Sequence, residues 1–521
     1  MTEPCFDEAG LSSQPLGQPE ALGDARSPFV HRFKTARCHY LFDVNTNRIL
    51  RVSKAVWDII ADVGVLDEHE LVAKYSSTHA AYTLSAARRE VLATQERGMF
   101  LAHRPTRITA YHQADLADQL DHKRGQLILN LTEACNFRCS YCIFGGQYSN
   151  RRKHSSRRME WQTARAAIDD FMQHSDQAES RFVTFYGGEP LLEDGLLARC
   201  VEYVKAENAG SPVQFSLTTN GSLLAARRAA YLAANEFFII VSLDGPEPVH
   251  DSHRRTLQGE PTWATVMDNV RAFLDAYPSY KSNSRLRFSA VVPPGADLRE
   301  LQTFFCEHDL FTECTGVSVS PQSPSVGEAP APDDVPRARS YKSLREQFLQ
   351  DLASGRVAES YGSRETLFLA AVCAGAFIRF HRRKYLSPRL PDVMTAPSTC
   401  IPGARRTFVS VDGDYFACER VSEGPGNLIG DVKNGIDMGK VMKMLDQWNE
   451  SSDQCRRCWC LPICAVGCFA SVGDDAPLGT KVSGQACSIC RQQSHELMEE
   501  YSAVMERNPH AFDFARQFES S

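Results

Sequence analysis

The stretch that decides the fold is QLILNLTEACNFRCSYC, residues 126–142, in which an apolar run leads directly into three cysteines. The apolar run has the length and composition of a buried strand. Cys135, Cys139 and Cys142 follow in a CxxxCxxC pattern, at the strand end where parallel sheets carry functional side chains. Three thiolates on one short loop can ligate three irons of a [4Fe–4S] cluster and leave the fourth iron open. A zinc loop or three packed thiols are the alternatives.

Strand-like apolar runs alternate with amphipathic helices six times in this part of the chain. The predicted strands cover residues 126–134, 181–188, 213–221, 237–245, 285–293 and 316–320. The predicted helices lie near residues 160–173, 191–207, 222–235, 262–276, 297–308 and 338–354. Apolar strands separated by helices are typical of a parallel sheet covered on both faces. Six such units predict an α/β fold built as a partial (β/α)6, TIM-like barrel.

Composition and charge exclude several classes of protein. The chain has 521 residues, of which 43% are hydrophobic, and a net charge of −7. This mild acidic balance favours neither nucleic acid nor an anionic membrane as a partner. No apolar run approaches the ~18 residues of a transmembrane helix. The first 28 residues hold five acidic residues and one basic residue, the reverse of a secretory signal, so we expect a cytoplasmic protein.

Changes in composition predict six segments. In order, they are a disordered acidic tail (1–28), a winged-helix-like module (29–105), the barrel core (120–320), a linker and helical bridge (321–395), a cysteine-rich domain (396–495), and a C-terminal helix and tail (496–521). The module is predicted from short strands, a hairpin turn and following helices. The linker is predicted from its prolines. A last helix is expected over residues 492–505.

The 18 cysteines are strongly clustered, and nine of them fall between Cys400 and Cys490. Their pattern is Cys400-x12-Gly413-x4-Cys418, then Cys455-x2-Cys458-x5-Cys464-x3-Cys468, and finally Cys487. In a long chain without an export signal, clustered thiolates indicate metal or iron–sulfur ligation rather than disulfides. A loop-rich segment of this kind cannot build a large core, and we expect it to fold around metal.

Glycine-rich and polar motifs mark the ends of the next three strands. They are Gly187-Gly188-Glu189-Pro190, Thr218-Thr219-Asn220-Gly221 and Ser242-Leu243-Asp244-Gly245. Two adjacent glycines let a backbone approach a ligand closely, and a carboxylate can pair with an ammonium group. Because the carboxyl ends of parallel strands meet at one edge of the sheet, these motifs are expected to line one site.

CxxxCxxC after the first strand and GGEP after the second together resemble the radical S-adenosylmethionine (SAM) superfamily. The resemblance implies that the open iron binds SAM and that a 5′-deoxyadenosyl radical abstracts hydrogen from a substrate. The residues that it implies for the SAM pocket are Tyr141, Gly187, Gly188, Glu189, Pro190, Thr218, Asn220, Ser242, Asp244, Arg254 and Val292. Arg254 could equally be a surface base, and Val292 a core residue. No catalytic acid or base is identified.

The later cysteines match the seven-cysteine signature of SPASM domains, which carry two auxiliary [4Fe–4S] clusters. The resemblance implies that auxiliary cluster I is bound by Cys400, Cys418 and Cys468, and auxiliary cluster II by Cys455, Cys458, Cys464 and Cys487. Three [4Fe–4S] clusters are then expected in all. Cluster I lacks a fourth ligand, which Cys373, Cys460, Cys490 or a substrate thiolate could supply. Two structural zinc sites are the alternative, because four thiolates also suit zinc.

The module at residues 29–105 resembles the RiPP recognition element, a small winged-helix-like domain that binds leader segments of ribosomally synthesised peptides. The best match is residues 34–60, KTARCHYLFDVNTNRILRVSKAVWDII. A leader would add a strand to the edge of its sheet. A DNA-reading winged helix and a scaffold are the alternatives. The module holds 11 Lys and Arg against 8 Asp and Glu, a small excess for DNA binding.

The chain as a whole resembles thioether-forming peptide maturases of the SCIFF or ranthipeptide kind. This implies a radical SAM/SPASM oxidoreductase that forms cysteine thioether crosslinks in a precursor peptide, with the leader bound by the N-terminal module and the core peptide by the barrel. An external one-electron donor such as flavodoxin or ferredoxin is implied as a partner. The alternatives are a sulfatase maturase, a carbon–carbon crosslinking or epimerising enzyme, and a non-catalytic iron–sulfur or zinc protein that binds peptide or DNA.

Overall fold

The computed structural model covers most of the chain. The residues that it describes are 24–110, 113–147, 152–207, 212–311, 316–322, 335–359, 363–396, 399–469 and 484–515. The predicted disordered tail, residues 1–28, lies outside the described residues except for its last five. Most of the predicted proline-rich loop after the sixth barrel strand lies outside them as well.

The strands and helices follow the chain in this order. The strands are β1 (Val30–Lys34), β2 (His39–Asp43), β3 (Arg48–Val52), β4 (Arg107–Thr109), β5 (Gln126–Thr132), β6 (Arg181–Gly187), β7 (Val213–Thr219), β8 (Phe238–Ser242), β9 (Leu286–Val292), β10 (Val317–Pro321), β11 (Val393–Thr395), β12 (Thr407–Val409), β13 (Asp414–Phe416), β14 (Leu428–Asp431) and β15 (Gly435–Ile436). The helices are α1 (Lys54–Ile59), α2 (Glu68–Tyr75), α3 (Ala81–Glu96), α4 (Gln113–His122), α5 (Trp161–Gln173), α6 (Asp194–Glu207), α7 (Ala226–Ala234), α8 (Glu247–His253), α9 (Trp263–Ala276), α10 (Ser279–Ser282), α11 (Leu298–Glu307), α12 (Pro336–Ser354), α13 (Arg356–Glu359), α14 (Arg364–Leu369), α15 (Gly375–His381), α16 (Met438–Ser451) and α17 (Gly484–Arg507). None of the helices within the described residues is long and apolar enough to cross a membrane.

The central sheet confirms the predicted parallel barrel strands. Its order is β10-β9-β8-β7-β6-β5-β12-β13-β14-β15, and β5 to β10 pair in parallel with their neighbours in sequence. Strand β5 is buried from its second residue to its last, because helices pack on the sheet. Helix α5 buries Ala164, Ala167, Ile168 and Phe171, which share one face at helical spacing. The carboxyl ends of the parallel strands thus form one edge.

The sheet continues beyond the barrel into the cysteine-rich segment, which the sequence did not indicate. Strand β12 pairs in parallel with β5, with Thr407 opposite Leu127, and β13 to β15 add antiparallel strands. These strands have only two to four residues. Runs this short show no periodicity, and a pairing to a strand far away in sequence leaves no local signal. The mixed sheet joins the start of the cysteine-rich segment to the first barrel strand.

The N-terminal residues form the strands and helices that were predicted there. Strands β1, β2 and β3 make an antiparallel sheet, with a left-handed residue, Asn47, in the β2–β3 turn. The Ser53 side chain accepts from the Val56 N–H and caps α1, while Asp67 and Glu70 form a reciprocal capping box on α2. Its small core is separate from the main one.

The last helix is longer than expected. Helix α17 begins at Gly484, before the predicted start at residue 492, and therefore includes Cys487 and Cys490. Cysteines three residues apart share one helix face. The first turns of α17 carry cysteines and polar residues in place of an apolar helical pattern, so the sequence did not mark them as helical.

Two glycines let the end of β6 lie against the start of the cysteine loop. The Gly188 N–H donates to Thr132 O at 2.8 Å, and the Glu189 N–H donates to Ala134 O at 2.9 Å. Gly187 has a φ of 140°, which side chains rarely allow. At Gly188, an added methyl carbon would lie 2.5 Å from the carbonyl carbon of Ala134. Glycine is required here for contact between two chain segments.

We expect Gly188→Ala to lower the melting temperature of the apo-protein, because overpacking against rigid backbone costs about 1–3 kcal/mol. Gly195→Ala is the matched control. No heavy atom outside its own helix lies within 4 Å of the carbon added there, and alanine in a helix is favoured over glycine by up to about 1 kcal/mol. Thermal unfolding followed by circular dichroism compares the two. A Gly188→Ala protein that melts no lower than wild type would contradict the packing argument.

Candidate functional site

The three cysteines of CxxxCxxC lie on the loop that follows β5. Cys135, Cys139 and Cys142 are all partly buried, and none is in a disulfide. Burial raises the pKa of Cys135 to about 12 and that of Cys139 to about 11, and nearby thiols add to the effect. The Arg254 guanidinium acts in the opposite direction and lowers the pKa of Cys139. The loop therefore gathers three thiols, and the Arg254 guanidinium favours the ionisation of Cys139 and Cys142.

The loop is held by the end of α8 and the residues after it, a contact that no local sequence pattern indicates. The Arg138 N–H donates to Arg255 O at 2.8 Å, and the Ser140 N–H donates to His253 O at 3.0 Å. The Ser140 hydroxyl also lies 2.6 Å from His253 Nδ1. These contacts fix the loop between β5 and the segment that carries Arg254.

Glu189 of the GGEP motif connects the ends of two strands. Its carboxylate accepts from the Thr219 hydroxyl at 2.8 Å, the Asn220 N–H at 2.7 Å and the Leu191 N–H at 3.1 Å. The side chain is completely buried, which raises its pKa to about 7, although the three donors lower it. Pro190 follows and begins a 3-10 turn, Pro190–Glu193. In this structure the donors to Glu189 come from the chain itself.

A second polar network joins Asn220 to the cysteine loop. The Asn220 side-chain amide donates to Asn136 Oδ1 at 2.9 Å, and the Asn136 amide donates to the Ser222 hydroxyl at 2.9 Å. The Asn220 nitrogen also lies 3.9 Å from Cys135 Sγ. Asn136 and Ser222 were missed by the sequence analysis, because isolated Asn and Ser residues carry no pattern. Thr218, predicted beside Asn220, lies within β7.

Asp244, Arg254 and Tyr141 form one buried cluster. Arg254 donates to Asp244 through Nε at 2.8 Å and through a terminal nitrogen at 3.0 Å. The Tyr141 hydroxyl and the Val291 N–H also donate to Asp244. Burial raises the pKa of Tyr141 well above its usual value. Arg254 is only 6% exposed, so it is not the surface base that the sequence left open.

The remaining predicted pocket residues end neighbouring strands. Ser242 is the last residue of β8 and Val292 the last of β9. Val292 is fully buried, and its carbonyl accepts from Arg337 at 2.8 Å. The strand ends of β6 to β9 therefore bring the predicted residues to one edge of the sheet, the edge that also carries the cysteine loop.

Arg152 connects this edge to the cysteine-rich segment. Its guanidinium lies 3.5 Å from the centre of the Phe144 ring and 4.8 Å from that of Phe408. It also forms an ion pair with Glu423, and both side chains are largely buried. Burial raises the pKa of Cys142, and the charge of Arg152, which was not predicted, opposes this shift.

The C-terminal cysteines fall into two groups. In the first, burial raises the pKa of Cys400 to about 12, and the nearby Cys468 and Cys418 raise it further. In the second, the thiols interact with one another across two segments of chain. The members of the second group are Cys455, Cys458, Cys460, Cys464, Cys487 and Cys490.

Cys373, Cys460 and Cys490, which are not assigned to a cluster, do not all lie in the same part of the fold. Cys460 and Cys490 have their sulfur atoms 3.9 Å apart, within the second group. Cys373 is buried in a π-helical turn, Ala370–Ala374, and interacts with Arg345. The thiols that act on Cys400 are those of Cys468 and Cys418.

The thiols of the cysteine loop suit the ligation of an iron–sulfur cluster. Within the described residues, no three His, Cys, Asp or Glu side chains converge as ligands of a single metal ion would. A [4Fe–4S] cluster instead takes its thiolates on different irons. Three thiols on one loop beside a close backbone approach at Gly187 and Gly188 suit such a cluster and a small ligand. Which ligand each residue contacts stays a prediction.

Comparisons with known proteins agree with this geometry. Residues 129–302 match the family model of the Radical SAM superfamily. The serine-type anaerobic sulfatase-maturating enzyme of Bacteroides thetaiotaomicron is 26% identical over 137 residues, 26% of this chain and 33% of that enzyme. The cysteine-type enzyme of Clostridium perfringens is 26% identical over 187 residues, 35% of this chain and 49% of that enzyme. The chain thus spans less than half of these relatives.

A solved structure extends the similarity in fold. Native anSMEcpe with bound AdoMet (SAM) superposes with a TM-score of 0.53 at 19% identity, covering 75% of this chain and 99% of that one. At this identity the match concerns the fold, which is that of a radical SAM α/β protein. Residues 129–302 thus combine the cysteine loop and the strand-end motifs with a match to the Radical SAM superfamily model and a radical SAM α/β fold.

Proposed function

We propose that the chain is an enzyme that uses SAM and a [4Fe–4S] cluster at Cys135, Cys139 and Cys142 to oxidise a ribosomally synthesised peptide, closing a cysteine thioether. One observation supports the use of SAM and a cluster. The loop with the three thiols packs against Gly187 and Gly188 at the carboxyl edge of the sheet, within the residues that match the radical SAM family. When bound, the cluster and SAM supply a 5′-deoxyadenosyl radical.

The chain's own residues prepare this site in three ways. Arg254 lies near Cys139 and favours its thiolate over its thiol. Asp244 neutralises the buried Arg254 and holds it in place with two hydrogen bonds. Glu189 fixes the ends of β6 and β7 relative to each other. These contacts hold buried side chains at the carboxyl edge of the sheet in fixed positions relative to one another.

The proposed reaction is a two-electron oxidation of the peptide. One C–H bond and one S–H bond are lost, and one C–S bond forms. SAM accepts the two electrons as it is cleaved to 5′-deoxyadenosine and methionine. The abstracted hydrogen atom goes to 5′-deoxyadenosine, and the thiol proton goes to solvent.

The proposal of a peptide substrate has two supports. The N-terminal sheet has the strand order β1-β2-β3, and no other strand among the described residues pairs with β3. Arg48 and Arg51 of this strand are exposed. A peptide can add to such an edge through main-chain hydrogen bonds. In addition, anSMEcpe has been solved with bound AdoMet and a Cp18Cys peptide, and that structure superposes with a TM-score of 0.52.

The proposal of a thioether product is supported by the arrangement of the C-terminal cysteines. We propose that Cys400, Cys418 and Cys468 hold one auxiliary cluster, and that Cys455, Cys458, Cys464 and Cys487 hold the other. Cys460 and Cys490 lie with the second group, which makes them poor candidates for completing the first. With three protein ligands, the first cluster would keep one iron open for a substrate thiol, and coordination there would favour the thiolate.

A sulfatase maturase is the second candidate, favoured by two curated relatives of that activity at 26% identity. Such an enzyme would oxidise a cysteine or serine side chain without joining it to a second residue. The two reactions differ in the product peptide, and both depend on the same cysteine loop.

Cys139→Ala is expected to reduce formation of 5′-deoxyadenosine at least about 100-fold, because the loop would lose one of three iron ligands. The assay uses anaerobic, iron-reconstituted protein with SAM and dithionite, and chromatography measures the nucleoside. Cys306→Ala is the control, since this partly buried thiol lies on α11, outside the three groups of cysteines. Equal activity of Cys139→Ala and the control would show that the loop does not hold the cluster that cleaves SAM.

The product test uses a cysteine-containing candidate peptide encoded beside the gene. We expect each turnover to remove the mass of two hydrogen atoms and one iodoacetamide-reactive thiol, because the sulfur becomes part of a thioether. Mass spectrometry before and after alkylation measures both. A loss of two hydrogens with every thiol still alkylated would exclude the thioether and favour a carbon–carbon crosslink. Loss of a thiol by oxidation within one residue would favour the maturase alternative.

A further inference from the structure

His31 of the N-terminal module contacts the cysteine-rich segment directly. Its imidazole stacks on the Trp459 indole, with ring centres 3.6 Å apart and planes 8° from parallel. Its Nε2 atom lies 2.8 Å from Nδ1 of His495, on α17. Trp459 stands between Cys458 and Cys460 in the sequence. One side chain of strand β1 therefore touches both segments that carry the second group of cysteines.

These two segments are otherwise separate parts of the chain. Cys455 to Cys464 lie in a region of short 3-10 turns, while Cys487 and Cys490 lie near the start of α17. They meet where the Cys460 thiol donates to Ser494 Oγ at 3.1 Å, next to His495. A cluster bound by thiolates from both segments requires a fixed distance between them. The contact through His31 acts at that junction.

The stacking partner of Trp459 is an uncharged ring. Burial lowers the pKa of His31 to about 3, and neighbouring His495 and Arg32 contribute in the same direction. A neutral imidazole can stack closely on an indole and still exchange one hydrogen bond through its edge. Glu499 lies 3.4 Å from the other side of the His495 ring and helps to orient it.

We infer that His31 is a positioning residue for auxiliary cluster II, holding the Trp459 loop and α17 at the separation that the cluster's thiolates need. This rests on the proposed function, which assigns that cluster to Cys455, Cys458, Cys464 and Cys487. The N-terminal module is then part of the frame of an iron–sulfur site, in addition to any part that it has in binding peptide.

The same module offers a matched control contact on the same helix. The Tyr40 hydroxyl donates to Glu506 at 2.8 Å, near the C-terminal end of α17. Glu506 is sixteen residues beyond Cys490, about 24 Å along the helix axis. Tyr40→Phe thus removes a contact between module and helix without touching the junction at Trp459.

The experiment measures iron release from the full-length, reconstituted protein. Wild-type protein should hold about 12 irons, four for each of three clusters. In His31→Ala, about four of them should pass to a ferrous chelator about tenfold faster, the usual scale for loss of a residue that supports metal ligands. The electron paramagnetic resonance signal of one cluster should shift, and the other two should not. Tyr40→Phe should match wild type, and His31→Phe, which keeps a stacked ring, should recover most of the stability.

The outcomes separate this inference from the proposed function. If wild-type protein holds only about four irons, the auxiliary clusters are absent and the proposed function fails in its present form. Wild-type protein with about 12 irons, together with His31→Ala that releases iron at the wild-type rate, would overturn the role of His31 alone. Equal acceleration for all irons would indicate general loosening and would also overturn it. His31→Phe that loses iron as fast as His31→Ala would overturn the stacking contact as the cause.

Discussion

The close approach of the end of β6 to the first residues of the cysteine loop is the constraint on which the site depends. Two main-chain hydrogen bonds, from Gly188 and Glu189 to Thr132 and Ala134, bring the chains together. Glycine permits this approach, and the Glu189 side chain then fixes the end of β7 as well. The loop is thereby oriented before any ligand binds, which is the condition for aiming a reactive intermediate at one C–H bond.

The electrostatics of the site depend on burial. Partly buried thiols resist ionisation, and burial raises the pKa of Cys135 and Cys139 accordingly. Ligation of iron supplies the charge that makes a thiolate stable in such surroundings. Arg254 provides part of that charge from the protein itself, and its own burial is compensated by Asp244. Buried Arg254 therefore has a carboxylate partner, and in the proposed function iron would supply the charge that the cysteine thiolates need.

Much of the fold and part of the site could be predicted from the sequence, because their signals are local. Strands β5 to β10 appear as apolar runs, and CxxxCxxC and GGEP are contiguous motifs. The pairing of β12 with β5 could not be predicted, since three-residue strands have no period and the partner lies far away in the chain. Four further residues could not be predicted for a related reason: Asn136, Ser222, Arg152 and His31. Each acts through a contact between distant segments, and its residue type alone does not indicate such a contact.

The most direct test of the account is the electron paramagnetic resonance spectrum of the reduced protein with and without SAM. If the loop after β5 holds a [4Fe–4S] cluster with an open iron, adding SAM should shift the signal of one cluster, because SAM becomes a ligand of that iron. The shift should vanish in Cys139→Ala while the other signals remain. A wild-type spectrum that SAM leaves unchanged would contradict the account.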